Sequence, residues 1–481
     1  MNLPEITDSC PSDDRRQAYT FYGHSLLGGL KPIHALDSLR SYPTLAIGST
    51  GSGKTQFLVS LAVRDMVNPS GVPIFFIDGK ASNETFNTLY YYAKSLGKPF
   101  YCFFPIKEMD KYSCSWNPLH STKISIETII DTFFTSYMPF RVQSDSQFYI
   151  DTQRNFFTLL VQALHSSGKA FNVQDVIDMF ENIDVLTQYA KDFKGQGVYF
   201  YNKLTVVKQD LGKDFKKVMQ GFVNYLHNFE HWSFNSYNPE IQIDRLYYTD
   251  AVVYVGLPVN AQEITMKAAG ALFLNQIKAF SNLIQGEDAI NRRKVSIFCD
   301  EAAPWINSSM ANFASKVRDT GMMLHWGVQS RYDLREGLEV VAHRIENNAP
   351  NIAMFNPRDR ETADWFCSLI GEELHHSRKS NVTLDESGDV KELGTASESL
   401  VSMKKVHPDG IMNLRRRQYY YLPGTSIYRP LYLKSPLLSR PPNTPDRKFH
   451  GFHRPIKQEL KGFFTRIRLN NSRVDPFLAT V

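Results

Sequence analysis

The chain has 481 residues, of which 42% are hydrophobic and 21% are charged. This balance excludes a disordered or collagen-like chain, and the length predicts two or three domains. The five cysteines are scattered without paired or zinc-ligand spacing, which is typical of a reducing compartment. The net charge of +5 comes from the segment after residue 439, where nine basic residues stand against three acidic ones. Overall charge therefore does not predict a nucleic-acid-binding protein, although a local basic patch is compatible with one.

No stretch of the chain offers the 18 or so uncharged apolar residues that a membrane span needs. The nearest approach, residues 268–284, is interrupted by Asn275, Gln276, Lys278 and Asn282. The first residues are polar and lack the apolar run of a signal peptide. The sequence thus predicts a soluble, cytoplasmic protein.

Short apolar runs alternate with helical patterns in two parts of the chain. The predicted strands are residues 44–47, 72–77, 100–104, 251–257, 295–299, 322–328 and 351–355. The predicted helices between them include residues 56–66, 82–95 and 263–283. Strands that alternate with helices indicate an α/β fold, with a mostly parallel, twisted sheet covered on both faces.

Between these two parts the pattern changes to helical spacing alone. Apolar residues recur at helical intervals in segments 126–135, 148–164, 173–179 and 215–229. We therefore predict four regions: a first α/β part (1–124), an all-helical insertion (125–240), a second α/β part (241–435) and a basic tail (436–481). Within the third region, the polar residues 375–404 are predicted to form a surface loop or a flexible segment.

A phosphate-binding loop follows the first predicted strand and precedes a helix. The pattern G-x-x-x-x-G-K-[ST], known as Walker A, is matched in full by Gly48, Ser49, Thr50, Gly51, Ser52, Gly53, Lys54 and Thr55. The glycines let backbone N–H groups surround a phosphate at the positive end of the helix. Lys54 is expected to reach the β- and γ-phosphates, and the Thr55 hydroxyl is expected to bind Mg²⁺.

A pair of carboxylates follows the predicted strand at residues 295–299. Asp300 would hold Mg²⁺ through water, and Glu301 would polarise the water that attacks the γ-phosphate. Taken alone, the pair is equally compatible with a solvated strand end or a helix N-cap. No N/T-K-x-D element for reading guanine accompanies these motifs, so ATP is the favoured nucleotide. Residues 1–124 and 241–435 are therefore predicted to be the two parts of a nucleotide-binding domain.

Further motifs, in the same order along the chain, make it resemble the TraG/TraD-like type IV coupling proteins, within the FtsK/HerA group of DNA-pumping ATPases. They are Asp78-Gly79-Lys80, the stretch S-W-N-P-L at 115–119, residues 313–321, Gln329-Ser330, residues 345–348, residues 359–363 and Ile370-Gly371. The resemblance extends over residues 44–371 and is weakest in the helical block. It implies a RecA-like ATPase of the additional-strand type with an inserted helical domain.

The resemblance also implies roles for single residues. Gln329 would contact the γ-phosphate or the attacking water, and the alternative is a solvated strand end. Arg318 would reach the nucleotide of a neighbouring subunit as an arginine finger, and the alternative is a surface salt bridge. Lys80 would sense nucleotide or line a ring, or it is a plain surface lysine.

The function implied by the resemblance is ATP-driven recognition and pumping of DNA, single-stranded and with attached protein, in conjugation or related type IV transfer. The expected partners are DNA bound without sequence preference, a relaxosome or secreted protein, and further copies of the chain in a hexameric ring. Most members begin with transmembrane helices, so we expect a separate membrane-anchored partner to hold this chain at the inner face of the membrane. Two alternatives stay open: a receptor for secreted proteins with little action on DNA, and a nucleotide-controlled assembly protein.

Two other features of the sequence have both a functional and a plainer interpretation. Arg415-Arg416-Arg417 beside Tyr419-Tyr420-Tyr421 combines the charge and aromatic surface that single-strand binding requires. The favoured interpretation is a solvated turn that enters a strand whose tyrosines pack inside. The basic tail is compatible with DNA, acidic lipid or an acidic partner, and equally with a solvated extension.

Overall fold

The computed structural model describes residues 6–7, 19–27, 29–68, 70–109, 113–140, 147–181, 195–335, 339–384, 390–424 and 430–438. The strands are β1 Ile6–Thr7, β2 Tyr19–Ser25, β3 Pro32–Leu36, β4 Thr44–Ile47, β5 Ile74–Asp78, β6 Phe100–Phe103, β7 Val252–Gly256, β8 Val295–Asp300, β9 Met322–Val328, β10 Asn351–Met354, β11 Glu372–Leu384, β12 Val390–Lys404, β13 Gln418–Leu422 and β14 Leu431–Lys434. The helices are α1 Lys54–Met66, α2 Asn83–Ser95, α3 Ile126–Tyr137, α4 Gln147–Ser166, α5 Val173–Glu181, α6 Gln196–Leu211, α7 Phe215–Leu226, α8 Ile243–Leu246, α9 Glu263–Gln285, α10 Ser308–Lys316, α11 Arg331–Arg335, α12 Glu339–Asn348, α13 Arg360–Ile370 and α14 Pro408–Met412.

A parallel sheet forms the centre of the described structure. Its strands run in the order β10-β4-β9-β8-β5-β7-β6, and each neighbouring pair is parallel. Every residue of β4, β5 and β8 is buried, because helices cover both faces of the sheet. The α/β, RecA-like fold class predicted from the sequence is therefore confirmed.

An antiparallel extension continues the sheet beyond β10. Strand β13 pairs with β10, and β14, β2, β3 and β1 follow in that order, each antiparallel to the last. Tyr419 and Tyr421 of β13 are buried and Tyr420 is half-buried, so the interpretation of a strand whose tyrosines pack inside holds for two of the three. The sequence did not predict β1, β2, β3 or β14.

Helices α3–α7 lie between β6 and β7 in the chain and are joined to the sheet by a shared core. The Phe134 and Phe222 rings of α3 and α7 stack with centroids 4.7 Å apart. Near the start of the block, the Trp116 ring packs edge-on against Phe273 of α9, and its Nε1 donates to Gln276 Oε1 at 2.9 Å. The predicted helical segments are present, whereas the domain boundaries at 124, 240 and 435 stay a prediction.

The prediction of a surface loop at 375–404 is wrong. Strands β11 and β12 form an antiparallel two-stranded ribbon there. Its described side chains, at 372–376 and 400–404, are exposed on both strands. Strand segments without a buried face, such as these described ones, produce no alternation of apolar and polar residues, so the pattern that reveals a strand is missing there. The predictions for the basic tail from residue 439 onward lie outside the described residues.

A buried ion pair joins the antiparallel extension to the parallel centre. Arg40, fully buried, holds the Asp65 carboxylate of α1 with both terminal nitrogens, with Nη2–Oδ2 at 2.7 Å. Arg40 also donates to Thr20 Oγ1 of β2 at 3.2 Å. Ser296 of β8 donates to Asp65 Oδ2 at 2.6 Å. Elements from both halves of the sheet thus share one polar network.

Replacing Asp65 with alanine is expected to destabilise the fold strongly, because it leaves the Arg40 charge buried without its carboxylate. A loss of about 3–5 kcal/mol in the free energy of unfolding is typical of such a broken pair. Urea denaturation measures it. The control is Asp131→Ala, which removes a solvent-exposed pair with Arg154 and should cost less than about 1 kcal/mol. Equal effects of the two changes would contradict the importance of the buried network.

Candidate nucleotide-binding site

The Gly48–Thr55 loop connects the carboxyl end of β4 to the first turn of α1. Gly51 and Gly53 have positive φ angles of 81° and 113°, which the loop needs in order to turn its N–H groups inward. The Lys54 side chain is 4% exposed, and its amine donates to the carbonyls of Gly48 and Ser49. Burial lowers the pKa of Lys54 below its ordinary value, although the charges of Glu301 and Asp300 oppose this shift. The loop therefore presents backbone donors and one buried cation at the same place.

Thr55 and Asp300 meet at the mouth of the loop. The Thr55 hydroxyl donates to Asp300 Oδ2 at 2.6 Å. Asp300 is 1% exposed, and within the described part of the chain its other oxygen, Oδ1, has no hydrogen-bond partner. Burial and then the Asp78 charge raise the pKa of Asp300 to about 6, although the Thr55 hydrogen bond opposes them. Hydroxyl and carboxylate oxygens are the donors that Mg²⁺ prefers, so this pair fits that ion.

Asp78 has a different role, although it ends the strand beside Asp300. It is fully buried and accepts hydrogen bonds from the backbone N–H groups of Lys80 and Ser82, both at 2.9 Å. The Tyr254 hydroxyl donates to it at 2.8 Å. Burial raises the pKa of Asp78 despite these bonds. Asp78 thus fixes the turn that carries Lys80 toward the site.

Glu301 lies beside Asp300 and is held by two side chains. Lys80 Nζ contacts its Oε1, and Gln329 Nε2 donates to its Oε2 at 3.0 Å. Burial alone would raise the pKa of Glu301, but the Lys80 and Gln329 hydrogen bonds and the Lys54 charge bring it below the ordinary value. Glu301 is therefore a carboxylate at neutral pH. The ion pair brings the Lys80 amine to the site, while a role for Lys80 in sensing nucleotide or lining a ring stays a prediction.

Gln329 connects the carboxylate to the phosphate loop. Its Oε1 accepts a hydrogen bond from the Thr50 hydroxyl at 3.3 Å, while its amide nitrogen donates to Glu301. The backbone N–H of Gln329 donates to Asp333 Oδ2 of α11 at 2.8 Å, which fixes the end of β9. The structure thus brings together Lys54, Thr55, Asp300, Glu301 and Gln329 at one edge of the sheet.

Arg318 lies away from this group. It belongs to a 3-10 helix at Val317–Thr320, which precedes β9, whereas Gln329 follows β9. At about 3.3 Å per residue, β9 separates the two ends by roughly 20 Å. The exposed Arg318 guanidinium lies over the Tyr42 ring, 4.2 Å from its centroid. Arg318 therefore cannot act on the site of its own subunit, and its contact with a neighbouring subunit stays a prediction.

One residue at the site was missed by sequence reasoning. The Arg417 N–H donates to the Ser52 carbonyl of the phosphate loop at 2.7 Å. The contact is so close that a Cβ on Gly53 would lie 3.0 Å from Arg417 Cα. Ser52 and Arg417 are far apart in the chain and are brought together only by the pairing of β13 with β10. No local pattern could have indicated the contact.

Comparisons with known proteins agree with the fold and the motifs. Residues 294–416 match the sequence model of the family described as the TraM recognition site of TraD and TraG. The type 4 coupling protein DotL of Legionella pneumophila is 37% identical over 107 residues, which is 20% of this chain. The match spans 13% of the length of DotL.

Solved structures of the plasmid coupling protein TrwB share the fold. Unbound TrwBdeltaN70 superposes with a TM-score of 0.59 at 14% identity, covering 87% of this chain and 89% of TrwB. Its complex with ADP and Mg²⁺ superposes with a TM-score of 0.57 at 15% identity, covering 84% and 87%. The chain resembles the type IV coupling proteins. Among the described residues, no helix combines the length and the apolar character that crossing a bilayer requires.

The raised pKa of Asp300 predicts a pH-dependent cost to stability. Its carboxyl group titrates near 3.8 when unfolded and near 6 when folded, so ionisation destabilises the fold progressively between about pH 4 and 6. Asp300→Asn should therefore be more stable than the original protein by up to about 3 kcal/mol above pH 6, with little difference near pH 4.

Chemical denaturation in buffer with a metal chelator measures this difference at several pH values. The control is Asp131→Asn, which changes an exposed carboxylate of the helical block. A difference between Asp300→Asn and the original protein that does not vary between pH 4 and 7 would contradict the assigned burial of the charge.

Proposed function

We propose that this chain is an ATPase that couples ATP hydrolysis to DNA transport in conjugation or a related type IV transfer. One observation carries the proposal: a phosphate loop, a hydroxyl–carboxylate pair, a charged glutamate and a glutamine converge at the carboxyl edge of one sheet. The combination would supply a phosphate cradle, oxygen ligands for Mg²⁺ and a base for the attacking water. The fold supports it too, because TrwB shares the architecture and has been solved with an ATP analogue and with ADP and Mg²⁺.

The phosphates would be bound by the inward N–H groups of the loop and by the Lys54 amine. Thr55 Oγ1 and Asp300 would hold Mg²⁺, since their oxygens already adjoin and Asp300 Oδ1 lacks a partner in the described part of the chain. When bound, Mg²⁺ neutralises charge on the phosphate oxygens. Lys54 does the same from the loop side, where burial strengthens its field.

Glu301 would orient the attacking water and accept its proton. Its lowered pKa keeps it ionised at neutral pH, which a general base requires. Gln329 donates to one carboxylate oxygen of Glu301 and accepts from Thr50 of the phosphate loop. A movement of the loop would therefore change the position of the Glu301 carboxylate. Lys80 holds the other oxygen and limits the rotation of the carboxylate.

DNA, a partner protein and further copies of the chain would complete the function. The match to a TraM recognition site supports a relaxosome protein as the partner of residues 294–416. Arg318 is exposed on the amino edge of the sheet, where a neighbouring subunit of a ring could present its nucleotide. Attachment to the inner face of the membrane would come from a separate anchored partner.

The test is steady-state ATP hydrolysis with and without single- and double-stranded DNA, across protein concentration. We expect turnover to rise with DNA and with concentration. Glu301→Gln should retain nucleotide binding and lose at least about 100-fold in turnover, because it removes the proton acceptor but keeps the side-chain shape. Turnover that is the same with and without DNA would instead favour a receptor for protein substrates. Full turnover in Glu301→Gln would refute the assignment of Glu301 as the base.

Arg318→Ala tests the assembly dependence. We expect turnover in concentrated protein to fall at least tenfold, toward the level of dilute protein, while nucleotide affinity in dilute protein is unchanged. The control is Tyr42→Leu, which removes the aromatic contact but keeps the arginine. If Arg318→Ala lowers turnover equally in dilute protein, or if Tyr42→Leu reproduces its effect, the contact with a neighbour is excluded.

A further inference from the structure

A short turn packs directly on the phosphate loop from the antiparallel half of the sheet. We name residues 414–418, which precede and begin β13, the arginine turn. Its Arg417 N–H donates to Ser52 O, and the Arg417 backbone lies against Gly53. The turn therefore contacts the loop through main-chain atoms, so its position relative to a bound phosphate is fixed by the fold.

The arginine turn is held in place from behind. Arg417 has a φ of 73°, its carbonyl accepts from the Ser435 N–H at 2.9 Å, and its guanidinium donates to the Ser435 carbonyl. On the same turn, Gln418 Oε1 accepts from the Arg415 N–H at 3.0 Å and from the Tyr432 hydroxyl at 3.1 Å. The Arg417 side chain is thus occupied in bracing the turn against the segment that follows β14.

The other two arginines of the turn point their charge into solvent. Arg415 and Arg416 are exposed, and no described residue forms an ion pair with either side chain. The sequence between residues 410 and 424 contains no Asp or Glu. Burial and then the Arg416 charge lower the pKa of Arg417. Among the described residues, the turn is therefore a positive patch whose Arg415 and Arg416 side chains form no ion pair.

This patch lies within side-chain reach of the phosphate loop. Arg416 is bonded to the Arg417 nitrogen, which is 2.7 Å from Ser52 O, so standard bond lengths place Arg416 Cα within about 5 Å of that oxygen. A guanidinium offers several N–H donors in one plane and binds phosphate oxygens in pairs. An anion held by the loop would relieve the repulsion among the arginines.

We propose that Arg416, with Arg415 beside it, binds the phosphate chain of the nucleotide within its own subunit. The proposal rests on the proposed ATPase function and adds a cationic contact from the antiparallel half of the sheet. A nucleic-acid strand is less suited to this place, since the arginine turn is fixed to the phosphate loop itself by a main-chain hydrogen bond.

The test is titration of a fluorescent ATP analogue with Mg²⁺, followed by competition with ADP and with inorganic tripolyphosphate. Arg416→Ala should lower the affinity for all three ligands about tenfold, which is the effect of one lost charge-assisted hydrogen bond. Arg416→Lys should recover part of the affinity, because it keeps the charge without the planar fork. The control is Arg154→Ala, an exposed arginine of the helical block, which should bind like the original protein.

The outcomes separate this inference from the proposed function. If the original protein binds no nucleotide, the proposed function fails. If it binds nucleotide and Arg416→Ala binds all three ligands equally well, the inference is overturned. If Arg416→Ala keeps nucleotide affinity but loses affinity for single-stranded DNA, the arginine turn is a DNA contact and the inference is again overturned. Thermal unfolding of each variant checks that the fold is intact.

Discussion

Parallel strands that pair in register end together, and the whole candidate site depends on that constraint. Asp78 and Asp300 are register partners at the ends of β5 and β8, and Ile47 and Val328 are partners at the ends of β4 and β9. The Gly48 N–H donates to the Val328 carbonyl at 3.2 Å, which joins the start of the phosphate loop to the residue before Gln329. Asp300, Glu301 and Gln329 therefore lie at or next to a strand end, and the loop that carries Lys54 and Thr55 begins at one. A slip of one residue in any of these pairings would turn the corresponding side chains to the other face of the sheet.

The two edges of this sheet are built differently. At the amino edge, both oxygens of the buried Asp65 carboxylate accept hydrogen bonds, Oδ1 from Arg40 and Oδ2 from Arg40 and Ser296. At the carboxyl edge, Asp300 carries a raised pKa and an oxygen without a partner in the described part of the chain. A buried polar group with all its bonds stabilises a specific packing, whereas one that lacks a bond costs stability and favours a ligand. The amino edge thus contributes to the fold, and the carboxyl edge is available for chemistry.

Local patterns explain what the sequence could predict. The central strands are buried on both faces and so read as apolar runs, and the phosphate loop is encoded by eight consecutive residues. Strand β2 shows the opposite case, because its sequence YTFYGHS mixes polar and apolar residues and contains a glycine. The ribbon β11–β12 lacks a buried face among its described side chains, and the Ser52–Arg417 contact joins distant parts of the chain. These features follow from tertiary pairing, which periodicity in one sequence does not reveal.

The position of Glu301 shows how remote contacts impose a local conformation. Glu301 has a φ of 55°, which is unfavourable for a residue with a side chain. No sequence motif predicts this backbone conformation. The strain persists because both flanks are fixed: the Asp300 carbonyl accepts from the Gly79 N–H at 3.1 Å, and the Ala302 N–H donates to the Gly327 carbonyl at 2.8 Å. Gly79 follows β5 and Gly327 belongs to β9, so the two neighbouring chain segments hold the turn between them. Because Lys80 and Gln329 follow these same segments, the contacts that force the backbone also supply the partners of the carboxylate. Strain and function at this position therefore have one structural cause.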